Sequence, residues 1–164
     1  MARTLLLLRH AKSSWKDSSL DDHDRPLNQR GKVAAPRMGH LIRDEGLLPD
    51  LVVASTAVRA QATAFAVIEA AGYTGPLRSA RSLYLAPPSA YVDLARDLDE
   101  RIERVLMIGH NPGIEILFSE LVGRPEAMPT AALAALSIPV DDWLEFDLGT
   151  AASLIGFWRP RELE

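Results

Sequence analysis

The sequence contains no cysteine among its 164 residues. This absence excludes disulfide bonds, catalysis by a thiolate and zinc sites with cysteine ligands. A chain without disulfides is compatible with the reducing cytosol, and we expect a cytoplasmic protein. Internal repeats, low-complexity tracts and an interdomain linker are missing too, so residues 1–164 are predicted to form a single domain.

Long hydrophobic runs and an excess of positive charge are also missing. The first apolar run, residues 5–8, ends at Arg9 and His10. It is too short for a signal peptide or for a membrane-spanning helix, which needs about 20 apolar residues, and we expect no membrane partner. The formal net charge is -4, and nucleic-acid-binding proteins usually show a basic face, so we expect no nucleic-acid partner. A local cluster of arginines can still attract an anionic substrate.

The chain does have the composition of a globular protein, with 48% hydrophobic and 24% charged residues. Continuous apolar runs predict strands at residues 4–8, 51–54, 105–108, 132–138 and 154–158. Helical patterns lie between them at residues 29–45, 57–71, 89–98 and 112–122. Continuous apolar runs suit a parallel or mixed sheet that is covered on both faces. The order of elements therefore predicts an α/β protein with helices on both sides of one sheet.

The ends of the predicted helices carry recognisable signals. Pro36 is expected to kink the first helix or to mark its true start. Ser55 and Thr56 are candidate N-caps of the second helix. Asn111 is a candidate N-cap of the last helix, and Gly123 is expected to end it.

Three short segments share one layout, because each begins where a predicted strand ends. They are residues 8–13, 54–59 and 108–113. In open α/β sheets ligands bind beyond the carboxyl ends of the strands, so these segments are expected to converge on one pocket. The pocket would contain Arg9, Arg59, His10 and His110. Arginine binds phosphate oxygens bidentately, a neutral imidazole can attack phosphorus, and a protonated imidazole can stabilise the transferring group.

Each of these residues has a less specific interpretation when it is taken alone. His10 could be a core or surface histidine, Arg9 could join a surface ion pair, and Arg59 could sit on an exposed helix face. His110 could belong to an ordinary strand-to-helix turn. The joint arrangement of two arginines and two histidines at strand ends favours a phosphate site over these alternatives.

Four segments in a fixed order carry a family resemblance. They read Leu-Leu-Arg-His-Ala at 7–11, Asp-Arg-Pro-Leu-Asn-Gln-Arg-Gly at 24–31, Ser-Thr-Ala-Val-Arg-Ala at 55–60 and Gly-His-Asn-Pro-Gly at 109–113. Together they resemble the histidine phosphatase superfamily, and in particular its small phosphohistidine phosphatase branch, the SixA-type proteins. The resemblance spans nearly the whole chain. It implies a phosphoglycerate mutase-like fold, a single-domain three-layer α/β/α sandwich with a mostly parallel central sheet.

The resemblance also implies roles for individual residues. His10 would be the nucleophile that accepts the phosphoryl group, and Arg9, Arg59 and His110 would complete the phosphate pocket. Ser13 holds the position where the family usually has a hydroxyl near the phosphate. The arginines supply the positive charge, so no metal or cofactor is expected. Inorganic phosphate would be both product and inhibitor.

The general acid is where the chain departs from well-studied relatives in the superfamily. Those enzymes place a carboxylate near the middle strand-to-helix loop, but residues 82–88 contain none. The loop after His10 offers Asp17, Asp21, Asp22 and Asp24. One of them could donate a proton, or all could form a solvated acidic loop. An alkoxide leaving group needs a proton donor, whereas phosphohistidine can leave as neutral imidazole, so the missing acid favours P–N cleavage.

The sequence and the resemblance together predict a phosphatase that acts through a phosphohistidine intermediate on His10, with phosphohistidine on a protein as substrate. One alternative is a phosphatase for small phosphomonoesters, and another is a non-catalytic module that binds phosphohistidine. A metal site at residues 21–24 is disfavoured because consecutive loop residues seldom all face one ion. Tyr84 and Tyr91 are predicted to line the rim of the pocket.

Overall fold

The leucine run of the first strand shows why this sheet is covered on both faces. Side chains alternate along a strand, so Leu5 and Leu7 point to one face and Leu6 and Leu8 to the other. All four are completely buried, the first pair in one hydrophobic cluster and the second pair in another. A strand of this kind requires a layer of helices on each side.

The computed structural model describes residues 2–163. Its strands are β1 (Arg3–Arg9), β2 (Leu51–Ser55), β3 (Leu77–Ala80), β4 (Arg104–Gly109), β5 (Leu133–Ile138) and β6 (Ser153–Trp158). Its helices are α1 (Gln29–Asp44), α2 (Val58–Ala71), α3 (Pro88–Arg96) and α4 (Gly113–Val122). Short 3-10 turns lie at Asp22–Asp24, Arg81–Leu83, Trp143–Glu145 and Pro160–Leu163.

The six strands form one sheet in the order β3-β2-β4-β1-β5-β6. The first four run parallel, and β5 and β6 are antiparallel to their neighbours. The helices α1 and α2 cover the face of Leu6 and Leu8, and α3 and α4 cover the face of Leu5 and Leu7. The expected three-layer α/β/α sandwich with a mostly parallel sheet is therefore confirmed.

Two features of the fold differ from the sequence prediction. The strand β3 was not predicted, because Leu77–Ala80 is short, half-exposed and carries arginine and serine instead of an apolar run. The helix α1 begins at Gln29 and continues through Pro36. Its start is set by Asn28, whose side chain accepts a hydrogen bond from the Gly31 N–H at 2.9 Å.

The helices α2 and α4 lack the predicted side-chain caps. No side chain caps α2 at Ala57: Ser55 Oγ accepts from the Ala57 N–H itself and contacts His110, and the Thr56 hydroxyl contacts His23. The N-cap position of α4 is Pro112, and Asn111 instead donates to the Met128 carbonyl at 3.0 Å. These polar side chains at strand ends serve tertiary contacts instead of helix ends. No helix within residues 2–163 is long and apolar enough to cross a membrane.

Candidate active site

The carboxyl ends of β1 and β4 place two histidines side by side. These strands are parallel neighbours in which Arg9 pairs with Gly109, and the His10 N–H donates to the Gly109 carbonyl at 3.0 Å. His10 and His110 follow their strands directly, and their ring centroids are 5.0 Å apart. The structure thus brings together two predicted site residues that are 100 positions apart in the sequence.

Hydrogen bonds to the His10 ring define which nitrogen carries the proton. The Nδ1 atom lies 2.7 Å from the Ala11 carbonyl, which can only accept, so Nδ1 carries the hydrogen. The Nε2 atom accepts from Arg59 Nε at 3.3 Å. Burial, with the nearby charges of Arg59 and Arg9, lowers the pKa of His10 to about 4, although the bond to Ala11 opposes the shift. At neutral pH His10 is therefore a neutral imidazole with a lone pair on Nε2.

The Arg59 side chain is buried at the centre of the site and is only 2% exposed. It is the second residue of α2, and its Nη2 lies 3.4 Å from His110 Nδ1. Its Nη1 donates to the Asp22 carbonyl at 2.6 Å, and Nη2 donates to Asp22 Oδ2 at 2.9 Å. The alternative of an exposed helix residue is therefore wrong for Arg59.

His110 is buried and neutral, like His10. Burial lowers its pKa to about 3, and the neighbouring His10 and Arg59 act in the same direction. Because Arg59 can only donate, His110 Nδ1 accepts and Nε2 carries the hydrogen, which faces Ser55 Oγ at 2.7 Å. The His110 N–H in turn donates to the Tyr91 hydroxyl at 3.2 Å. Both ring nitrogens and the backbone N–H of His110 are thus bound by protein groups.

Arg9 carries a buried donor without a partner. Its Nη1 donates to the Met128 carbonyl at 3.0 Å. Its Nε is buried and has no hydrogen-bond partner within residues 2–163. Burial lowers the pKa of Arg9, and the charge of nearby Glu115 opposes that shift. Unpartnered buried donors are rare, so Arg9 Nε is a candidate donor for a bound group.

Of the four aspartates in the loop after His10, Asp22 is the one that contacts Arg59 in the site. Its Oδ2 accepts from the Tyr84 hydroxyl at 2.6 Å and from Arg59, and its Oδ1 accepts from Arg25 Nη2 at 3.1 Å. Burial raises the pKa of Asp22, but the hydrogen bonds from Tyr84 and Arg59 outweigh burial and hold it well below its usual range. Asp22 is therefore a carboxylate that holds Arg59 in place, which sequence reasoning did not distinguish from its neighbours.

Ser13 lies beside Arg25. Arg25 Nη1 donates to Ser13 Oγ at 2.8 Å, and the Arg25 guanidinium stacks 3.4 Å from the centre of the Trp15 ring. The Trp15 side chain is 75% exposed, so this stack lies at the surface. In this structure the Ser13 hydroxyl is an acceptor for arginine, and its predicted contact with phosphate stays a prediction.

Sequence reasoning missed one residue of the site and misplaced another. Thr63 is fully buried, accepts from the Ala11 N–H at 3.0 Å and donates to the Arg59 carbonyl at 2.7 Å. A threonine four residues after Arg59 in an alanine-rich helix was the available signal. Tyr91 does not line the rim, because it is fully buried beneath Gly109, where a Cβ would collide with the tyrosine hydroxyl.

The acidic turn at Asp22–Asp24 makes side-chain contacts of its own. His23 Nε2 lies 2.9 Å from Thr56 Oγ1, and its ring packs edge-on against Tyr84 with centroids 4.8 Å apart. Across the part of the chain that the structure describes, no group of three or more His, Cys, Asp or Glu side chains could hold a metal ion. Asp22 and His23 therefore hold this turn against Tyr84 and the start of α2.

Comparison with known sequences supports the resemblance. Residues 5–83 match the sequence model of the histidine phosphatase superfamily (branch 1). An uncharacterised protein of Mycobacterium tuberculosis is 32% identical over 165 residues, covering 94% of this chain and all of the relative. An uncharacterised chloroplastic protein of Arabidopsis thaliana is 30% identical, covering 88% of this chain and 71% of the relative.

Comparison with solved structures supports the same resemblance. A candidate phosphohistidine phosphatase SixA from Agrobacterium tumefaciens is 29% identical, with a TM-score of 0.83 over 98% of this chain and 99% of that protein. A candidate of the same name from Nakamurella is also 29% identical, with a TM-score of 0.82 over 98% and 97% of the two chains. These likenesses extend over the whole sandwich.

Proposed function

Because the chain is a phosphatase of the histidine phosphatase superfamily, in its SixA-type branch, we propose that it removes the phosphoryl group from phosphohistidine on a protein. The observation that carries the proposal is the hydrogen bonding of the His10 ring. Its Nδ1–H is bonded to the Ala11 carbonyl, and the Nε2 lone pair faces Arg59 beside His110. A neutral imidazole held in this tautomer is ready to act as a nucleophile.

In the proposed first step, His10 Nε2 donates its lone pair to phosphorus and a new P–N bond forms. The P–N bond of the substrate breaks, and its electron pair returns to the substrate imidazole. That ring leaves as neutral imidazole when its other nitrogen is protonated, because the departing electron pair then neutralises a cationic ring. In the second step water attacks the phosphoryl group, the bond to His10 breaks, and the water proton passes to the released phosphate.

The other site residues have proposed electrostatic roles. The free Nε of Arg9 is a donor for a phosphoryl oxygen, and a guanidinium stays charged at any relevant pH. Arg59 contacts both His10 Nε2 and His110 Nδ1, so it lies where negative charge would pass during transfer. An arriving phosphoryl dianion would favour a protonated His110, because an opposite charge raises a histidine pKa. Ser13 is a candidate for a further contact with phosphate.

The carboxylates beside the site support a substrate with a good leaving group. Asp22 is ionised and accepts hydrogen bonds from Arg59, Arg25 and Tyr84, so it has no proton to donate. Glu115 accepts from the Met128 N–H at 2.9 Å. Alkyl phosphates require a proton donor for the leaving oxygen, and phosphohistidine does not.

The test is a ranking of kcat/KM at neutral pH over a phosphohistidine peptide, an aryl phosphate and a sugar phosphate. We expect the phosphohistidine peptide to rank first and the sugar phosphate last. A sugar phosphate in first place would show that the protein is a phosphatase for small phosphomonoesters. Binding of the peptide without phosphate release would show a phosphohistidine-binding module, and brief quenching under neutral conditions should trap phosphate on His10.

A further inference from the structure

A groove of about 680 Å³ lies beside the site and is rich in positive charge. Its lining includes four cationic side chains and no carboxylate: Lys12, Arg30, Arg37 and Arg161. The chain as a whole has 22 acidic residues against 18 lysines and arginines. A lining of one sign on an acidic protein is therefore a local feature, not a consequence of composition.

The groove opens at the same edge of the sheet as His10. Leu133 at the start of β5 pairs with Leu8 of β1 and with Trp158 at the end of β6. The segments just before β5 and just after β6, which line the groove, therefore lie where β1 ends. Lys12 follows His10 by two residues, and the Met128 carbonyl that accepts from Arg9 directly precedes the groove residue Pro129. The groove therefore lies at the same end of the sheet as His10.

The groove cations differ from the arginines of the site in their contacts. Lys12, Arg30 and Arg161 are exposed. No carboxylate within residues 2–163 forms an ion pair with any of these three. Their charge is therefore available to a partner, and mobile exposed cations act mainly by attracting and orienting an acidic surface.

We propose that this basic groove is the docking surface for an acidic segment of the phosphohistidine protein that is dephosphorylated at His10. The inference rests on the proposed function and adds a specificity element to it. A protein segment fits better than a single small phosphoester, because one phosphoryl group seated at His10 would leave the charges of Lys12, Arg30 and Arg161 without an anion. Asp and Glu side chains on both sides of the phosphohistidine would supply these anions.

The test uses two synthetic phosphohistidine peptides that differ only in their flanks, one rich in Asp and the other in Ser and Gln at the same positions. The double variant Arg30→Glu/Arg161→Glu reverses two groove charges. The control Lys32→Glu makes the same reversal at an exposed residue of α1 that does not line the groove. Melting temperatures establish that all variants fold, and Arg30→Gln/Arg161→Gln replaces the double variant if reversal prevents folding.

For the wild-type chain we expect kcat/KM to favour the acidic peptide by about fivefold to tenfold, mainly through KM. The double variant should lose this preference, whereas Lys32→Glu should keep it and an aryl phosphate should be turned over equally by all. A wild-type chain without preference, or a double variant that keeps it, would overturn the docking surface alone. If the wild type hydrolyses aryl phosphate but neither peptide, the proposed function fails and the docking surface with it. A groove-dependent KM seen only for a small bisphosphate ester would assign the groove to a second phosphate instead.

Discussion

The active-site pocket and the basic groove lie at the same edge of one sheet, yet they hold their cations in opposite ways. In the pocket, Arg59 is 2% exposed and every one of its nitrogens has a protein partner. In the groove, Lys12, Arg30 and Arg161 stand in solvent. Buried, fixed donors act on a charge at one position, whereas exposed ones act over a longer range and are screened by salt. The comparison separates residues suited to chemistry from residues suited to recognition.

The largest expected effect is the loss of the nucleophile in the pocket. His10→Ala should lower kcat by about a thousandfold or more, because covalent transfer has no substitute lone pair at that position. His40→Ala, which removes an exposed histidine of α1, is the matched control and should leave kcat unchanged. The measurement is phosphate release from an aryl phosphate. Turnover by His10→Ala at the wild-type rate would remove His10 from the mechanism.

Lowering the pH should reduce the free energy of unfolding, because the pocket holds two buried, neutral histidines. The groove should make no contribution to this effect. The folded pKa values of about 4 for His10 and about 3 for His110 lie below the unfolded value of 6.5. Between these values the unfolded chain binds more protons, so the free energy of unfolding falls as the pH drops from about 6.5 towards 4. Each histidine contributes up to about 1.4 kcal/mol per pH unit, on the order of a tenfold change in the folding equilibrium.

Urea unfolding at a series of pH values measures this acid effect. The variant His110→Gln should show a shallower loss of stability, because one of the two buried titrating groups is gone. Equal slopes for this variant and the wild type would mean that His110 is not held neutral by burial.

Arg59→Lys tests whether the geometry of the pocket matters beyond its charge. Lysine keeps the charge but cannot contact His10, His110 and Asp22 together, as the guanidinium does. We expect kcat to fall about tenfold to a hundredfold, because this is the rate change that corresponds to the free energy of one lost charge-assisted hydrogen bond. Arg43→Lys at an exposed end of α1 is the control. An unchanged kcat with an unchanged melting temperature would exclude Arg59 from the site.

Asp22→Asn distinguishes a positioning carboxylate from a general acid. The amide cannot accept from Tyr84, Arg59 and Arg25 together, so Arg59 should lose its fixed position and kcat should fall about threefold to tenfold. The loss should be the same for aryl phosphates with good and with poor leaving groups. A loss that grows as the leaving group becomes poorer would show proton donation by Asp22. Asp21→Asn, on an exposed neighbour, is the control.

Salt should produce the smallest effect, and it should appear in the groove. Raising NaCl from about 50 mM to about 300 mM shortens the screening length below about 10 Å and weakens exposed charges most. With the acidic phosphohistidine peptide we expect kcat/KM to fall by about threefold, mainly through KM. The peptide with Ser and Gln flanks should change less. Equal salt dependence for the two peptides would argue that the groove cations do not contribute.

Several parts of this protein could be predicted from the sequence because their causes are local. The leucines of β1 and the apolar residues of β4 require cover on both faces, which determines the three-layer sandwich. Gly123 ends α4 in the left-handed conformation, as its position predicted. The family was predicted from four short segments in a fixed order, without any knowledge of contacts, and the comparisons with known sequences and structures confirm it.

Only the tertiary structure determines the protonation, the burial and the hydrogen-bond partners of the pocket residues. Four aspartates of the loop after His10 are equivalent in the sequence, and only the fold brings Tyr84, Arg59 and Arg25 to Asp22. The proton positions on His10 and His110, and the burial that keeps both rings neutral, depend on partners from other strands and helices. A residue's chemistry follows from the dielectric and the hydrogen bonds around it, and residues distant in sequence supply both.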